Sequence, residues 1–231
     1  MKILMIAADP MEFAGITARA KAMGPAAVPV QWSRLVELSG NTLLLAVNGA
    51  GSARAAAVTD AALADFPADA VISTGFCGAL SPDLEIADVL VATEVKRGAD
   101  VFPALGPTAA PEHRTGPVIS IDHVARTAAE KRTLHERGGS VVEMEAAGVA
   151  ERAQARGIGF YCIRVVSDLA GEDMANDFNA ALRDDGHFDT INLLGQTLRK
   201  PLVRLPELIR LRNRCVRAAS VLGEFIADCR F

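Results

Sequence analysis

Five short stretches of this chain hold residues of the kinds that do chemistry. Glu12 lies in MIAADPMEF, just beyond an apolar N-terminal run, and Asn48-Gly49-Ala50-Gly51 is followed by Ser52 and Arg54. Thr74-Gly75-Phe76-Cys77-Gly78 ends another apolar run, Glu143-Met144-Glu145 opens an alanine-rich stretch, and Ser167-Asp168 closes the run from Tyr161. Carboxylates, a hydroxyl and glycine turns are the materials of acid–base chemistry and of turns that hold a ligand. A zinc site is not indicated, since Cys77, Cys162, Cys215 and Cys229 form no CxxC pair and share no ligand spacing with histidines. Each stretch also has a plainer reading. Gly49-Ala50-Gly51 is a fragment of the dinucleotide fingerprint with Arg54 at the third glycine position, and an ordinary turn before a helix explains it. Glu143 and Glu145 could be first-turn acids favoured by a helix dipole, Glu12 a solvated one, and Ser167 or Asp168 a turn cap. Only a fold that gathers all five would make them a site.

The surrounding text predicts such a fold. Strands are expected over 2–7, 41–47, 70–74, 89–95, 118–121 and 161–166, and helices over 10–23, 52–66, 127–137, 144–156 and 207–229. Gly138-Gly139 and Gly157 close two of those helices. Alternation of this kind argues for a three-layer α/β/α domain around a central, largely parallel or mixed sheet. In such sheets ligands bind beyond the carboxyl ends of the strands, where four of the five stretches fall. Arg97–Gly116 shows no period and reads as a loop bordering the site. The chain is expected to form one catalytic domain over 1–200 and a terminal amphipathic helix over 201–231, set apart by Pro201 and Pro206.

Half of the 231 residues are hydrophobic and 5% aromatic, which suits alanine- and glycine-rich helices packed tightly on a sheet. A net charge of −4 offers no general attraction to nucleic acid or to an anionic membrane. The start MKILMIAADP is too short an apolar run for a signal peptide and reads as a strand. With no apolar run of roughly 18 residues and no disulfide framework, a cytoplasmic protein is expected.

Three longer segments resemble the purine nucleoside phosphorylase and methylthioadenosine/S-adenosylhomocysteine nucleosidase family. They are VNGAGSARAAAV, AVISTGFCGALSPDLEIADVLVA and VVEMEAAGVAERAQARGIGFYCIRVVSD, and the resemblance they carry extends over most of residues 1–170. The last is the specific one, because it joins a Glu-Met-Glu helix to an Arg-x-x-Ser-Asp strand end at family spacing. The resemblance implies cleavage of a ribose–purine bond without a cofactor. Asp168 then matches the acid that protonates the purine, with Ser167 orienting it; an ordinary Asp is ionised at neutral pH, so burial or a hydrogen bond must hold its proton. Glu145 matches the carboxylate that holds the ribose hydroxyls, Met144 lies against the sugar, and Glu12 stands where nucleosidases activate water. Glu143, Gly75, Phe76, Cys77 and Val124 are the further substrate-facing positions, and Gly51, Arg54 and Thr74 are candidates for holding phosphate. Three departures bear on the nucleophile and the substrate. Phe76 replaces a small or hydroxyl residue, Thr74 replaces a phosphate-gripping arginine, and His123-Val124 replaces an aromatic expected to stack on the base.

The closing LRKPLVRLPELIRLRNRCVRAASVLGEF resembles the tail of the hopanoid-associated phosphorylase branch, which is assigned removal of adenine from adenosylhopane. Seven basic residues (Arg199, Lys200, Arg204, Arg210, Arg212, Arg214, Arg217) against the single acid Glu207 fit a helix lying on an anionic membrane, while Leu208, Leu211, Cys215, Ala218, Leu222 and Phe225 form an apolar stripe. The alternative is a helix docked on its own domain with a solvated basic face. The partners implied are a nucleoside, amphiphilic in this branch, inorganic phosphate if the reaction is phosphorolysis, and a second copy of the chain in a homo-oligomer. A non-catalytic relative that binds or stores nucleosides is the competing class, and retention of Asp168 and Glu145 argues against it.

Overall fold

The computed structural model describes the chain except for residues 27, 184, 190, 192–194, 196 and 199. Its centre is β1 (Lys2–Ala7), which pairs in parallel with β4 (Asn41–Val47) on one side and β5 (Ala70–Ala79) on the other. All three are near-continuous apolar runs rather than alternating ones, because helices cover both faces of the sheet. Beyond β4 come β3 (Trp32–Leu38) and β2 (Lys21–Gly24), both antiparallel.

On the other side the sheet closes on itself. β10 (Gly159–Asp168) runs parallel to β5 along its length, and β6 (Val89–Arg97) is antiparallel to β10. β8 (Arg114–Ser120) and the short β9 (Val141–Glu143) continue in parallel, and β9 returns to pair with the end of β5. The sheet is therefore mixed, and β5 is the strand from which both halves depart. β7 (Asp100–Pro103) hangs on β6.

One face is covered by α2 (Ser52–Asp65) and α4 (Ala146–Ala155), whose Ala55, Val58, Ala62, Val149 and Ala153 join Leu4, Ile6 and Val71 in one core cluster. The other is covered by α1 (Ala14–Arg19) and α6 (Pro201–Asp228), whose Ile16, Ala218, Leu222 and Phe225 pack with Ile3, Met5 and Ile163. α3 (Ala128–Glu136) and the short α5 (Phe178–Ala181) lie at the edge of the site. Helix α2 meets α4 so closely that a Cβ on Gly148 would lie 2.0 Å from the Ser52 carbonyl oxygen. That contact brings the start of α2 against the start of α4.

Several expectations are corrected. The helix expected over 10–23 is a 3₁₀ turn (Pro10–Phe13), then α1, then strand β2, and β3 had no counterpart in the sequence reading. Strand β5 does not stop at Thr74; Gly75, at φ +130°, lets it run on to Ala79. The helix expected from Met144 begins at Ala146, after β9. The loop expected over 97–116 contains β7 and the start of β8. Pro201 and Pro206 do not precede the terminal helix. Pro201 starts it and Pro206 lies within it, near an exposed end where one missing backbone bond is tolerated.

Candidate active site

Residues Ser73–Gly78 of β5 are the spine of the site, and each functional carboxylate is anchored to or beside them. Glu12 is reached through the 3₁₀ turn. Asp9 caps that turn by accepting from the Met11 N–H, and Glu12 Oε2 accepts from the N–H groups of Ala8 and Asp9 at 2.8 and 2.9 Å. Its Oε1 accepts from the Phe76 N–H at 2.6 Å. The carboxylate fits because residue 75 is glycine: a Cβ there would sit 2.2 Å from Glu12 Oε1. Burial pushes the Glu12 carboxyl above its ordinary range, against the Phe76 bond and the charge of Arg164.

Glu143, Glu145 and Arg164 form a second group. Arg164 is wholly buried and donates to Ser73 Oγ at 2.6 Å, to the Thr74 carbonyl at 3.0 Å, and to Glu143 Oε2. Glu143 Oε2 also accepts from the N–H groups of Glu145 and Ala146, at the start of α4. Glu145 is left to face the start of α2, accepting from the Gly51 N–H at 3.0 Å, with Arg164 Nη1 3.8 Å from its other oxygen. Burial and the neighbouring Glu143 raise the Glu145 carboxyl to about 8, with Arg164 opposing. Met144 and Cys77 are buried beside this group, and burial raises the Cys77 thiol.

Asp168 ends β10, where the register with β5 shifts and sets it opposite Gly78. A Cβ on Gly78 would be 2.9 Å from Asp168 Oδ1, so this glycine too makes room for a carboxylate. Ser167 Oγ donates to Asp168 Oδ2 at 3.0 Å or to the Cys77 carbonyl at 3.2 Å. On the other oxygen lies the ammonium of Lys131, from α3, which also donates to the Leu169 carbonyl at 2.7 Å.

Chain elements beyond β10 enclose Asp168. Glu172 forms a two-pronged pair with Arg214 of α6 at 2.6 and 2.9 Å, and Glu207 accepts from the N–H groups of Ala175 and Asn176. The cavity left against Asp168 is about 30 Å³. At Val124 the side-chain amide of Asn179 takes both backbone groups, accepting from the N–H at 2.7 Å and donating to the C=O at 3.0 Å.

The structure thus brings Glu12, Gly75, Phe76, Cys77, Glu143, Met144, Glu145, Ser167 and Asp168 to one strand end. Gly51 and Arg54 line a neighbouring cavity of about 720 Å³ with Arg97, Arg152 and Arg183. Thr74 does not line it; this residue is wholly buried, its hydroxyl has no hydrogen-bond partner among the described residues, and its carbonyl serves Arg164. Two charged residues have no role in the sequence reading, although Arg164 is the arginine of its Arg-x-x-Ser-Asp strand end. Arg164 could have been found, because a charge inside the apolar run YCIRVV must be paired when that strand is buried. Lys131 gave no such signal, lying in the polar helix text AAEKRTLHE.

A mixed α/β sheet that brings buried carboxylates to one strand end is the frame of an enzyme site suited to acid–base chemistry on a small molecule. The phosphorylase superfamily model matches residues 2–108 and 101–189, and the chain belongs to that superfamily. A 5'-methylthioadenosine/S-adenosylhomocysteine nucleosidase of Chromohalobacter salexigens is 28% identical over 176 residues, covering 62% of this chain and 74% of its own. The enzyme of that name from Mycobacterium bovis is 29% identical over 196 residues, covering 62% and 76%. Among solved structures, the Neisseria meningitidis nucleosidase in complex with methylthio-immucillin-A superposes with a TM-score of 0.70 at 22% identity, over 98% of this chain and 97% of that one. A futalosine hydrolase mutant of Helicobacter pylori gives 0.67 at 17% identity, over 98% and 96%. The likeness to these two structures is one of fold.

Proposed function

We propose that the chain hydrolyses a 5'-substituted adenine nucleoside, with Asp168 as the acid toward the purine, Ser167 orienting it, and Glu12 as the base that activates water. Glu145 takes the ribose hydroxyls, with Met144 against the sugar. Phe76, Cys77 and Gly75 line the base and sugar from β5, Val124 meets the edge of the base, and Glu143 acts through Glu145 and Arg164. The carrying observation is the charge around β5. Four buried carboxylates (Glu12, Glu143, Glu145, Asp168) face two buried cations (Arg164, Lys131), and both cations are already engaged by carboxylates. Such a site favours a sugar that becomes cationic as its bond to the base breaks. Neither buried cation is left over to hold a phosphate dianion, so water is the fitting nucleophile. Gly51 and Arg54 remain the place where an anion could approach, at the start of α2.

The deciding assay is adenine release from 5'-methylthioadenosine with and without phosphate, with the sugar product identified. Release that proceeds without phosphate and yields the free sugar supports hydrolysis. A strict phosphate requirement, with sugar 1-phosphate as product, overturns it.

A second reading concerns an amphiphilic 5' substituent, as in the hopanoid-associated branch. Cys215, Ala218, Leu222 and Phe225 of the expected stripe pack on the protein's own core, Leu208 and Leu211 are half-buried, and Arg214 is paired with Glu172. Those residues are not free for a membrane, and Arg199 lies outside the described residues. A different apolar set is exposed on the first half of α6: Leu202, Val203, Leu205 and Ile209, with Arg210 and Arg217 lining the adjoining groove. No helix among the described residues is long and apolar enough to cross a membrane. In this reading a cytoplasmic homo-oligomer, a dimer by default, touches the anionic inner leaflet through that set. Wild-type protein then co-sediments with anionic vesicles at low salt and less so as salt rises. Failure to bind at low salt ends this reading.

A further inference from the structure

Lys131 has no part in the activity as described so far, and its position is costly. Its side chain is wholly buried on α3, and an ammonium there survives only with close partners. Among the described residues it has two, Asp168 Oδ1 and the Leu169 carbonyl. Asp168 in turn has one oxygen on Lys131 and the other within reach of Ser167. The carboxyl is therefore held in a single orientation, with Oδ2 as the oxygen left to exchange Ser167 for a ligand.

We propose that Lys131 is a positioning residue of the reaction, its buried ammonium fixing the Asp168 carboxyl and stabilising the carboxylate left behind when the proton passes to the purine. The inference rests on the reading of Asp168 as the acid. In the step itself the C1'–N9 bond breaks with its electron pair going to the base. The proton on Asp168 moves to a ring nitrogen, and the Asp168 carboxylate is formed beside an ammonium already in place. No charge has to be created in an unprepared environment, which is where preorganised electrostatics gain their effect. Solvent returns a proton to Asp168 after the base departs.

Other charges surround Asp168 and must be counted. Arg210 and Arg214 face its cavity from α6, but Arg214 is tied to Glu172. Glu172, Asp173 and Glu207 supply negative charge from the same enclosure. The thiols of Cys77 and Cys215, on β5 and α6, are titratable neighbours as well. Lys131 is the cation in direct contact, so its removal is the change Asp168 should register most.

The test is the pH profile of kcat on 5'-methylthioadenosine for wild type, Lys131→Met and Asp168→Asn. Removing the cation favours the protonated carboxyl, so activity of Lys131→Met should persist to a pH higher by about one unit or more on the basic side. Its plateau should fall several-fold, because each protonated Asp168 is a weaker donor. Should the methionine variant not fold, Lys131→Gln, which keeps a donor to Oδ1 without charge, is expected to show the same displaced limb. An unchanged basic limb in a folded variant, with Asp168→Asn inactive, overturns the role of Lys131 and leaves Asp168 as the acid. Near wild-type turnover by Asp168→Asn removes the reading on which the inference rests.

Discussion

Replacing Asp168 by Asn tests catalysis and folding at once. Considered from its sequence, the substitution is shape-preserving and should leave folding almost untouched. The structure reverses that expectation, because Asp168 is the counter-ion of an ammonium with no solvent exposure at all. Breaking a buried ion pair by removing one partner typically costs 3–5 kcal/mol, since the remaining charge is stranded. Asn keeps an oxygen that can accept from Lys131, so a loss near the lower end, about 3 kcal/mol, is expected. For a domain of this size that lowers Tm by roughly 6–12 °C. In the same preparations kcat should fall by roughly 10²-fold or more, as a proton donor has been lost. Calorimetric melts give the first result, and adenine release gives the second. The double variant with Lys131→Met should recover most of the Tm and none of the activity. If Asp168→Asn melts within about 2 °C of wild type at pH 6, the pair does not stabilise the fold and this reasoning fails.

Glu145→Gln should cut turnover of ribosides strongly and of 2'-deoxy substrates much less; equal losses on both would detach Glu145 from the 2' hydroxyl. The same variant has a pH signature. Glu145 is raised from 4.5 to about 8 in the folded protein, so the native state keeps a proton that the unfolded chain gives up. Wild-type stability from this group therefore declines as pH rises between those values, and Glu145→Gln should flatten that slope in pH-dependent denaturant melts. Gly75→Ala places a methyl group 2.2 Å from Glu12 Oε1 at a left-handed backbone position, and should abolish hydrolysis while leaving the circular dichroism spectrum α/β. An active Gly75→Ala enzyme would show that Glu12 is not needed where it lies. Arg164→Met strands Glu143 and Glu145 together and should cost about 3–5 kcal/mol in chemical denaturation; a loss below about 1 kcal/mol would mean the acids are protonated without it.

How much of this was legible in the sequence differs from residue to residue. The parallel strands β1, β4, β5 and β10 are apolar runs bounded by turns, so their existence and the strand-end stretches could be read. β9 could not, because its three residues abut the helix text and its strand character comes from pairing with β5 and β8. β2 was hidden by alanine-rich text that reads as helix, and only pairing with β3 makes it a strand. Glu145 and Asp168 stood out by neighbourhood. Their setting did not, since whether a carboxylate faces Gly51 or a lysine 37 residues earlier depends on how the sheet closes. The terminal helix was visible, but two faces of it carry apolar residues. The stripe with Leu222 and Phe225 is legible as apolar, but whether it meets a membrane or the domain is not, and the core takes it.

The clasp between Asn179 and Val124 bears on which bases can be admitted. A side-chain amide presents an oxygen that accepts and a nitrogen that donates, and Val124 answers with its N–H and its C=O. The N1 and 6-amino edge of adenine presents the same pair in the same sense. If Val124 meets the edge of the base as proposed, the base enters by exchange, losing two hydrogen bonds to water and inheriting two that Asn179 gives up. Net affinity is then a small difference between similar terms, and it stays favourable only for a ring that copies the amide. Hypoxanthine offers the pattern reversed, N1 donating and O6 accepting, and a purine gripped at its imidazole side by Asp168 cannot turn over to correct it. The protein would thus carry in its own chain a rehearsal of the ligand, against which every incoming base is compared before the bond to ribose is touched.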